Sequence, residues 1–329
     1  MDISHLPRIS LGEFPTPLQR LPRLGSLVGH DHFYIKRDDM TGLGLGGNKT
    51  RSLEFLLGHA ITEKADTVIT GGGLQSNLCA LTAAACARTG LRCILVHNDT
   101  PPAELRGNML LNAILGAESR FMGRGNEAER DAMMQEVARE ARAAGGRPYV
   151  IDSGGSTPRG ALGYVQAALE LASQCRDMNL PVRHVGMVGA MGGTASGFIF
   201  GTAMLGHPFH VHVISVEYPG PVLYRILLDL CSRIESLVGF APKTPVEEVM
   251  TVYDEYLGPG YGVPTAMSRQ ALFDLARREG VLCEDVYTSK TLGGFLDLIA
   301  RGTIPVTEAA CYVHTGGLGS LFAQDIRPR

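Results

Sequence analysis

The residue best suited to covalent chemistry in this sequence is a lysine set among glycines, in Gly46-Gly47-Asn48-Lys49-Thr50. A helix-forming stretch, Arg51 to Gly58, follows it. The macrodipole disfavours a cation at a helix N-terminus, so a lysine there shifts toward the neutral amine that attacks carbonyls. A solvated lysine at a helix start is the plainer alternative, and the residue types leave both open. A second constellation is Gly71-Gly-Gly-Leu-Gln75-Ser76-Asn77, between a β-branched run and a small-residue helix. Free N–H groups at that turn, with Ser and Asn side chains, make a cradle for a carboxylate; an ordinary Ser N-cap is the alternative. A third is Gly189-Ala-Met-Gly192-Gly193-Thr194-Ala195-Ser196-Gly197, after the strand-like Val185–Val188. Its glycines and hydroxyls suit a phosphate at a helix start, against a merely flexible turn. One amine, one carboxylate cradle and one phosphate cradle together fit pyridoxal 5'-phosphate with an amino-acid substrate.

Other patterns are weaker. Gly42-Leu-Gly44-Leu-Gly-Gly47 matches GxGxxG and keeps a nicotinamide dehydrogenase open as a reading of a different class. Arg37-Asp38-Asp39 stands where the strand should lead straight into that turn. A P-loop reading fails because Asn48 occupies the place of the glycine before Lys49. No HExxH, GxSxG or Cys/His cluster occurs, so no metal is expected.

The elements that must position these groups follow from hydrophobic periodicity. Strand-like runs fall at Thr67–Thr70, Cys93–Val96, Tyr149–Ile151, Val185–Val188, Val211–Val216 and Tyr312–Thr315. Helical stretches lie between them, including Ser76–Arg88 closed by Gly90 and one from about Glu104 to Gly116. Strands alternating with helices are βαβ units. The fold class expected is α/β, with two open, twisted, mostly parallel sheets in two domains. The boundaries expected are 1–51 with 161–329 for a large cofactor-binding domain, and 52–160 for a small substrate-side domain. The Gly42–Gly47 and Gly154–Pro158 stretches read as linkers. Pro242–Pro264, broken by Pro and Gly, reads as an insertion that carries function.

A chain of 329 residues with 45% hydrophobic and 19% charged residues forms packed domains rather than a disordered chain. Its 41 glycines show no Gly-X-Y period, so they belong to turns. A formal net charge of −3 gives no reason to expect nucleic-acid or membrane partners. Met1–Phe14 lacks the apolar core of a secretory signal, and no apolar run approaches the ~20 residues of a membrane span. Seven cysteines without a CxxC pair read as buried thiols in a reducing compartment, hence the cytoplasm.

Taken together, several motifs go further. Phe14-Pro-Thr-Pro-Leu18, Tyr34-Ile-Lys-Arg-Asp-Asp39, Gly46-Gly-Asn-Lys-Thr-Arg51, Gln75-Ser-Asn77, Gly160-Ala-Leu-Gly-Tyr164, Gly260-Tyr-Gly-Val-Pro264 and His314-Thr-Gly-Gly317 run nearly end to end. In them the chain resembles the D-cysteine desulfhydrase / 1-aminocyclopropane-1-carboxylate (ACC) deaminase family of fold-type II pyridoxal-phosphate enzymes. The resemblance implies a homodimer of two-domain subunits. It implies that Lys49 carries the cofactor covalently, that Asn77 bonds the ring hydroxyl and that Ser76 bonds the substrate carboxylate. Gly189, Gly192, Gly193, Thr194, Ala195 and Ser196 would hold the phosphate, and Thr315 would face the pyridine nitrogen. Tyr261 and Tyr287 would flank the substrate, with Gln75, Leu78 and Thr288 beside it.

Four positions depart from the usual family pattern. Ser52 replaces a phosphate-contacting lysine, and Leu78 replaces His or Gln. Thr288 and Thr315 stand where the deaminases carry Glu and Leu, and both match the sulfur-lyase branch. A hydroxyl at the ring nitrogen cannot supply the charge of a carboxylate, which favours prompt loss of a β-substituent. The activity expected is α,β-elimination on a cysteine-like amino acid, giving pyruvate, ammonia and sulfide or sulfite. D-cysteine is the first substrate, L-cysteate the second, and ACC deamination the third reading. A relative that holds the cofactor without turnover is a further alternative.

Overall fold

Among the described residues the branched and aromatic runs form ten strands: β1 (Leu18–Arg20), β2 (Phe33–Arg37), β3 (Thr67–Gly71), β4 (Arg92–His97), β5 (Glu118–Phe121), β6 (Pro148–Val150), β7 (Val182–Gly189), β8 (His210–Ser215), β9 (Met250–Tyr253) and β10 (Ala309–His314). Eleven α-helices among the described residues alternate with them: α1 (Pro22–Gly25), α2 (Lys49–Thr62), α3 (Asn77–Thr89), α4 (Gly107–Ile114), α5 (Glu127–Ala143), α6 (Pro158–Asp177), α7 (Gly193–Met204), α8 (Gly220–Val238), α9 (Ala266–Glu279), α10 (Thr288–Ala300) and α11 (Leu318–Leu321). The computed structural model describes residue 3 and residues 5–326; the reading of Met1–Phe14 therefore falls partly outside the described residues.

The strands make two sheets, a six-stranded one in the order β1-β2-β10-β7-β8-β9 and a four-stranded one in the order β5-β4-β3-β6. All pairings are parallel except β1 with β2. The α/β class expected from the sequence holds. Parallel strands place their C-terminal ends on one edge, where ligands bind in such sheets. Lys49, the Gly71–Asn77 turn, the Gly189–Gly193 turn and Thr315 all follow strand ends or open helices there.

Three local readings differ from the structure. Helix α2 begins at Lys49 itself rather than at Arg51. The helix expected from Glu104 begins at Gly107. The Pro242–Pro264 region contains β9, an edge strand of the larger sheet, so only its second half is a loop. All seven cysteines are buried free thiols, as read from their apolar settings. No helix among the described residues is long and apolar enough to cross a membrane.

Helix α6 is the spine that holds the site together. Its Gly163 faces the backbone of Arg51 on α2, where a Cβ would stand 2.4 Å from the Arg51 carbonyl. On its other side Gly197 of α7 lies against Ala161, where a Cβ would stand 2.1 Å from the carbonyl oxygen. Helix α2 carries Lys49 and α7 starts the phosphate-type turn, so these close approaches set their separation.

A buried ionic network locks the same junction. Asp38 is fully buried and accepts from Arg51 Nε and Nη2, both at 2.8 Å, from Tyr164 Oη at 2.6 Å and from Thr16 Oγ1 at 2.7 Å. Glu170 of α6 accepts from Arg51 at 2.9 Å and pairs with the buried Lys36. Burial alone would raise the Asp38 carboxyl pKa, but the Arg51 charge and hydrogen bonds outweigh it and hold it at about 2. A depressed carboxyl pKa contributes stability that is present above the unfolded value near 4 and lost as pH falls through about 2. Removing one partner of a buried pair costs about 3–5 kcal/mol, because the other charge is left uncompensated. Asp38→Asn should therefore lower the unfolding free energy by an amount of that order, read as a lower denaturant midpoint, and its stability should fall less steeply than wild type between about pH 4 and pH 2. A midpoint unchanged in Asp38→Asn would contradict this account of the junction.

Candidate active site

Lys49 opens α2 at its first helical position, and its Nζ donates to the Gly154 carbonyl at 2.6 Å. Burial lowers the pKa of its ammonium to about 8, with the Glu217 carboxylate opposing the shift. The preceding Asn48 touches both neighbouring strand-end turns. Its backbone N–H donates to the Thr315 carbonyl at 2.9 Å, and its Nδ2 donates to Thr194 Oγ1 at 2.8 Å. The lysine is thereby placed between the turn after β10 and the turn after β7.

The turn after β7 is built to let a ligand approach backbone. Gly192 has φ +91°, a conformation costly for a side-chain-bearing residue. A Cβ on Gly189 would stand 2.5 Å from Leu223 Cδ2. Gly193 N–H donates to Ser156 Oγ at 3.3 Å, whereas the N–H groups of Thr194 and Ala195 meet no acceptor among the described residues. Ser196 lies deeper, with its hydroxyl on the Leu227 carbonyl at 3.4 Å.

In the turn after β3, Ser76 is the N-cap of α3 and its Oγ accepts from Cys79 N–H at 3.3 Å. The plain capping alternative is thus realised, by a long bond. Asn77 Oδ1 accepts from Asn108 Nδ2 at 2.8 Å, which turns its own Nδ2 toward Gly317. Gln75 is tied to the start of α4, accepting from Asn108 N–H at 2.8 Å and donating to the Arg106 carbonyl at 3.2 Å. Leu78 is buried in the apolar core with Leu56, and its Cδ1 is 3.5 Å from where a Gly155 Cβ would be.

Tyr261 and Tyr287 meet from two segments, with ring centroids 5.8 Å apart and their hydroxyls hydrogen-bonded. Burial raises both phenol pKa values, so both keep their protons at neutral pH. Glu284 fixes the second of them. This buried carboxyl accepts from the N–H groups of Val286, Tyr287 and Thr288 and from Thr288 Oγ1 at 3.0 Å. The Thr288 hydroxyl is therefore occupied by Glu284. Burial raises the Glu284 pKa despite these donors. Thr315 is buried, and its hydroxyl has no protein partner among the described residues. The carbonyl and hydroxyl of Thr315 thus divide their work, one holding Asn48 and the other left for a ligand.

This donor set fits pyridoxal phosphate: an amine with a lowered pKa, free N–H groups at a glycine turn for a phosphate, the Asn77 amide, and an unpartnered hydroxyl. The pyridoxal-phosphate dependent enzyme family matches residues 9–316. The chain belongs to that family. It is 36% identical over 320 residues to a "Putative 1-aminocyclopropane-1-carboxylate deaminase" of Pyrococcus abyssi, covering 97% of this chain and 94% of the relative. It is 38% identical over 335 residues to a D-cysteine desulfhydrase of Salmonella choleraesuis, covering 98% of each. The crystal structure of an ACC deaminase homologue superposes with a TM-score of 0.89 at 36% identity, covering 98% of this chain and 95% of that one. The protein is therefore a pyridoxal-phosphate enzyme of the fold-type II architecture.

Sequence reasoning missed Asn48, Gly154, Ser156, Asn108, Glu217 and Glu284. Asn48 was in plain view beside Lys49. Gly154 and Ser156 read as linker residues, yet they hold Lys49 and Gly193. The two carboxylates carried no local signal.

Glu217, two residues past β8, supports the charged form of Lys49. Glu217→Gln should move the Lys49 pKa below about 8. The rate at which pyridoxal phosphate attaches to the apoprotein, trapped by borohydride and read as mass on Lys49, should then rise at lower pH than in wild type. An unmoved or alkaline-shifted profile would remove Glu217 from this role.

Proposed function

We propose that the enzyme is a carbon–sulfur lyase that splits D-cysteine and water into hydrogen sulfide, pyruvate and ammonia. The carrying observation is the hydroxyl of Thr315, which meets no partner among the described residues, in a site where Thr288 is bound to Glu284. No carboxylate side chain occupies either of these two positions. Relatives named for D-cysteine desulfhydration and for ACC deamination are about equally similar to the chain, so the site residues carry the choice.

Pyridoxal phosphate, when bound, supplies the electron sink for a carbanion at Cα. The chain supplies the rest. The N–H groups of Thr194 and Ala195, with Gly189, Gly192, Gly193, Thr194 Oγ1 and Ser196 shaping the turn, hold the phosphate. Asn77 holds the ring hydroxyl through Nδ2, and Ser76 and the Gly72–Gln75 backbone hold the substrate carboxylate. The Lys49 amine, neutral in part at pH 8, takes the Cα proton. Tyr261 and Tyr287, both protonated, would give a proton to the departing sulfur. Leu78 and Gln75 shape the wall behind the carboxylate.

The lower-ranked reading is L-cysteate, whose sulfite would leave in place of sulfide. The same proposal divides the chain into 1–51 with 161–329 and 52–160, since β3–β6 and their sheet fall within the second. It places a homodimer in the cytoplasm. Seven buried free thiols and the exposed Leu110, Ile114 and Phe322, on packed α4 and α11 or beside them, support that placement. The test is stoichiometry: D-cysteine should give sulfide and pyruvate in equal amounts, and pyruvate without sulfide would overturn the reading.

A further inference from the structure

Lys290 is a lysine that the chemistry above does not use, and it is 1% exposed. It lies on α10, three residues after Tyr287. Its Nζ donates to the Leu257 carbonyl at 2.9 Å and to the Gly260 carbonyl at 3.1 Å. Both carbonyls belong to the loop between β9 and α9, and Gly260 immediately precedes Tyr261. Gly260 itself has φ +142°, so the chain turns sharply into Tyr261 where the ammonium grips it. The two ends of the loop rest on the same helix. A Cβ on Gly294 would stand 2.8 Å from Tyr256 Cδ2, and one on Gly293 would stand 3.2 Å from Met267 Cγ. Tyr256 Oη also donates to Asp297 Oδ2 at 2.8 Å. Helix α10 thus carries Tyr287 at its start, seats both ends of the loop on its glycines, and holds the middle of the loop by one buried cation.

We infer that Lys290 is a positioning residue, a clasp that sets Tyr261 against Tyr287 and so fixes the wall of the substrate site. This rests on the reading of the two tyrosines as substrate-flanking. A buried ammonium bonded to two carbonyls is worth keeping only where the bonded backbone must not move, because its desolvation is costly. Burial indeed lowers the Lys290 pKa, with Asp285 opposing. Tyr261 is half exposed, so the loop has no apolar anchor at its tip to replace the clasp.

The test uses the holoenzyme and two variants, Lys290→Met, which keeps the apolar stem, and Lys290→Gln, which keeps one donor. Amide hydrogen exchange at 257–263 should quicken by about tenfold in Lys290→Met, with α10 protected as in wild type, and less in Lys290→Gln. The KM for D-cysteine should rise by about tenfold in Lys290→Met while kcat stays within about threefold, since binding geometry and not proton transfer is disturbed. If Lys290→Met does not fold, Lys290→Gln is read alone for the same two changes. Unchanged exchange at 257–263 overturns the clasp. Quicker exchange with an unchanged KM overturns the positioning role. The exchange arm needs no turnover, so its outcome is separate from any failure of the lyase reading.

Discussion

Lys49→Ala should lower kcat/KM for D-cysteine by about 10³-fold or more, because the change removes both the covalent anchor and the base at Cα. The fold should survive the change. Lys49 Nζ makes one protein hydrogen bond, to the Gly154 carbonyl, while α2 is held by the Arg51 network and by Gly163. The variant should therefore unfold at a midpoint close to that of wild type. It should still retain phosphate-bearing ligand weakly through the turn after β7, and it should gain no mass on borohydride treatment. Steady-state kinetics with intact-protein mass measurement reads both effects. Activity near wild type in Lys49→Ala would end the mechanism.

Thr315→Asp should change which reaction the site runs. The hydroxyl of Thr315 has no hydrogen-bond partner among the described residues, and if it were only a buried strand end Thr315→Val would leave turnover and spectrum unchanged. An anion at this position raises the proton affinity of a ring nitrogen beside it. Pyridoxal phosphate bound beside that anion would supply a deeper electron sink and so disfavour prompt loss of the β-substituent. D-cysteine elimination should fall by roughly 10–100-fold, with new long-wavelength absorbance and more racemisation, in keeping with the size of single electrostatic contacts at active sites. Thr315→Val keeps the shape and removes the hydroxyl, and it should slow turnover without new absorbance. Equal rates and equal spectra in wild type, Thr315→Val and Thr315→Asp would show that the ring-nitrogen argument is wrong.

Much of the architecture was legible in the chain because its signals are local. Thr67–Thr70 and Cys93–Val96 are short branched runs closed by turns, and they became β3 and β4. Gly90 ended its helix as a left-handed cap. Gly46 and Gly47 hid the true start of α2, because glycines read as loop up to the lysine. The strand β9 was lost in a Pro- and Gly-rich region, since Met250–Tyr253 is stabilised by pairing with β8 rather than by its own pattern. The polar residues were the least legible. Arg51 and Glu170 are 119 residues apart, and Tyr164 and Asp38 are 126 apart. A charged residue in sequence reads as surface, and only such distant pairing makes it buried. Lys290 is a further case, satisfied by carbonyls about 30 residues away, whereas Glu284 is held by the N–H groups of Val286, Tyr287 and Thr288 just ahead of it.

The central claim is the identity of the bond that breaks. It is tested most directly by one side-by-side measurement of initial rates on purified holoenzyme with D-cysteine, L-cysteine, L-cysteate, β-chloro-D-alanine and ACC, each at a concentration well below its KM. The account predicts the highest kcat/KM for D-cysteine, with sulfide and pyruvate formed together and no 2-oxobutyrate from ACC. Turnover of ACC, with no sulfide from either cysteine and no sulfite from L-cysteate, would contradict it.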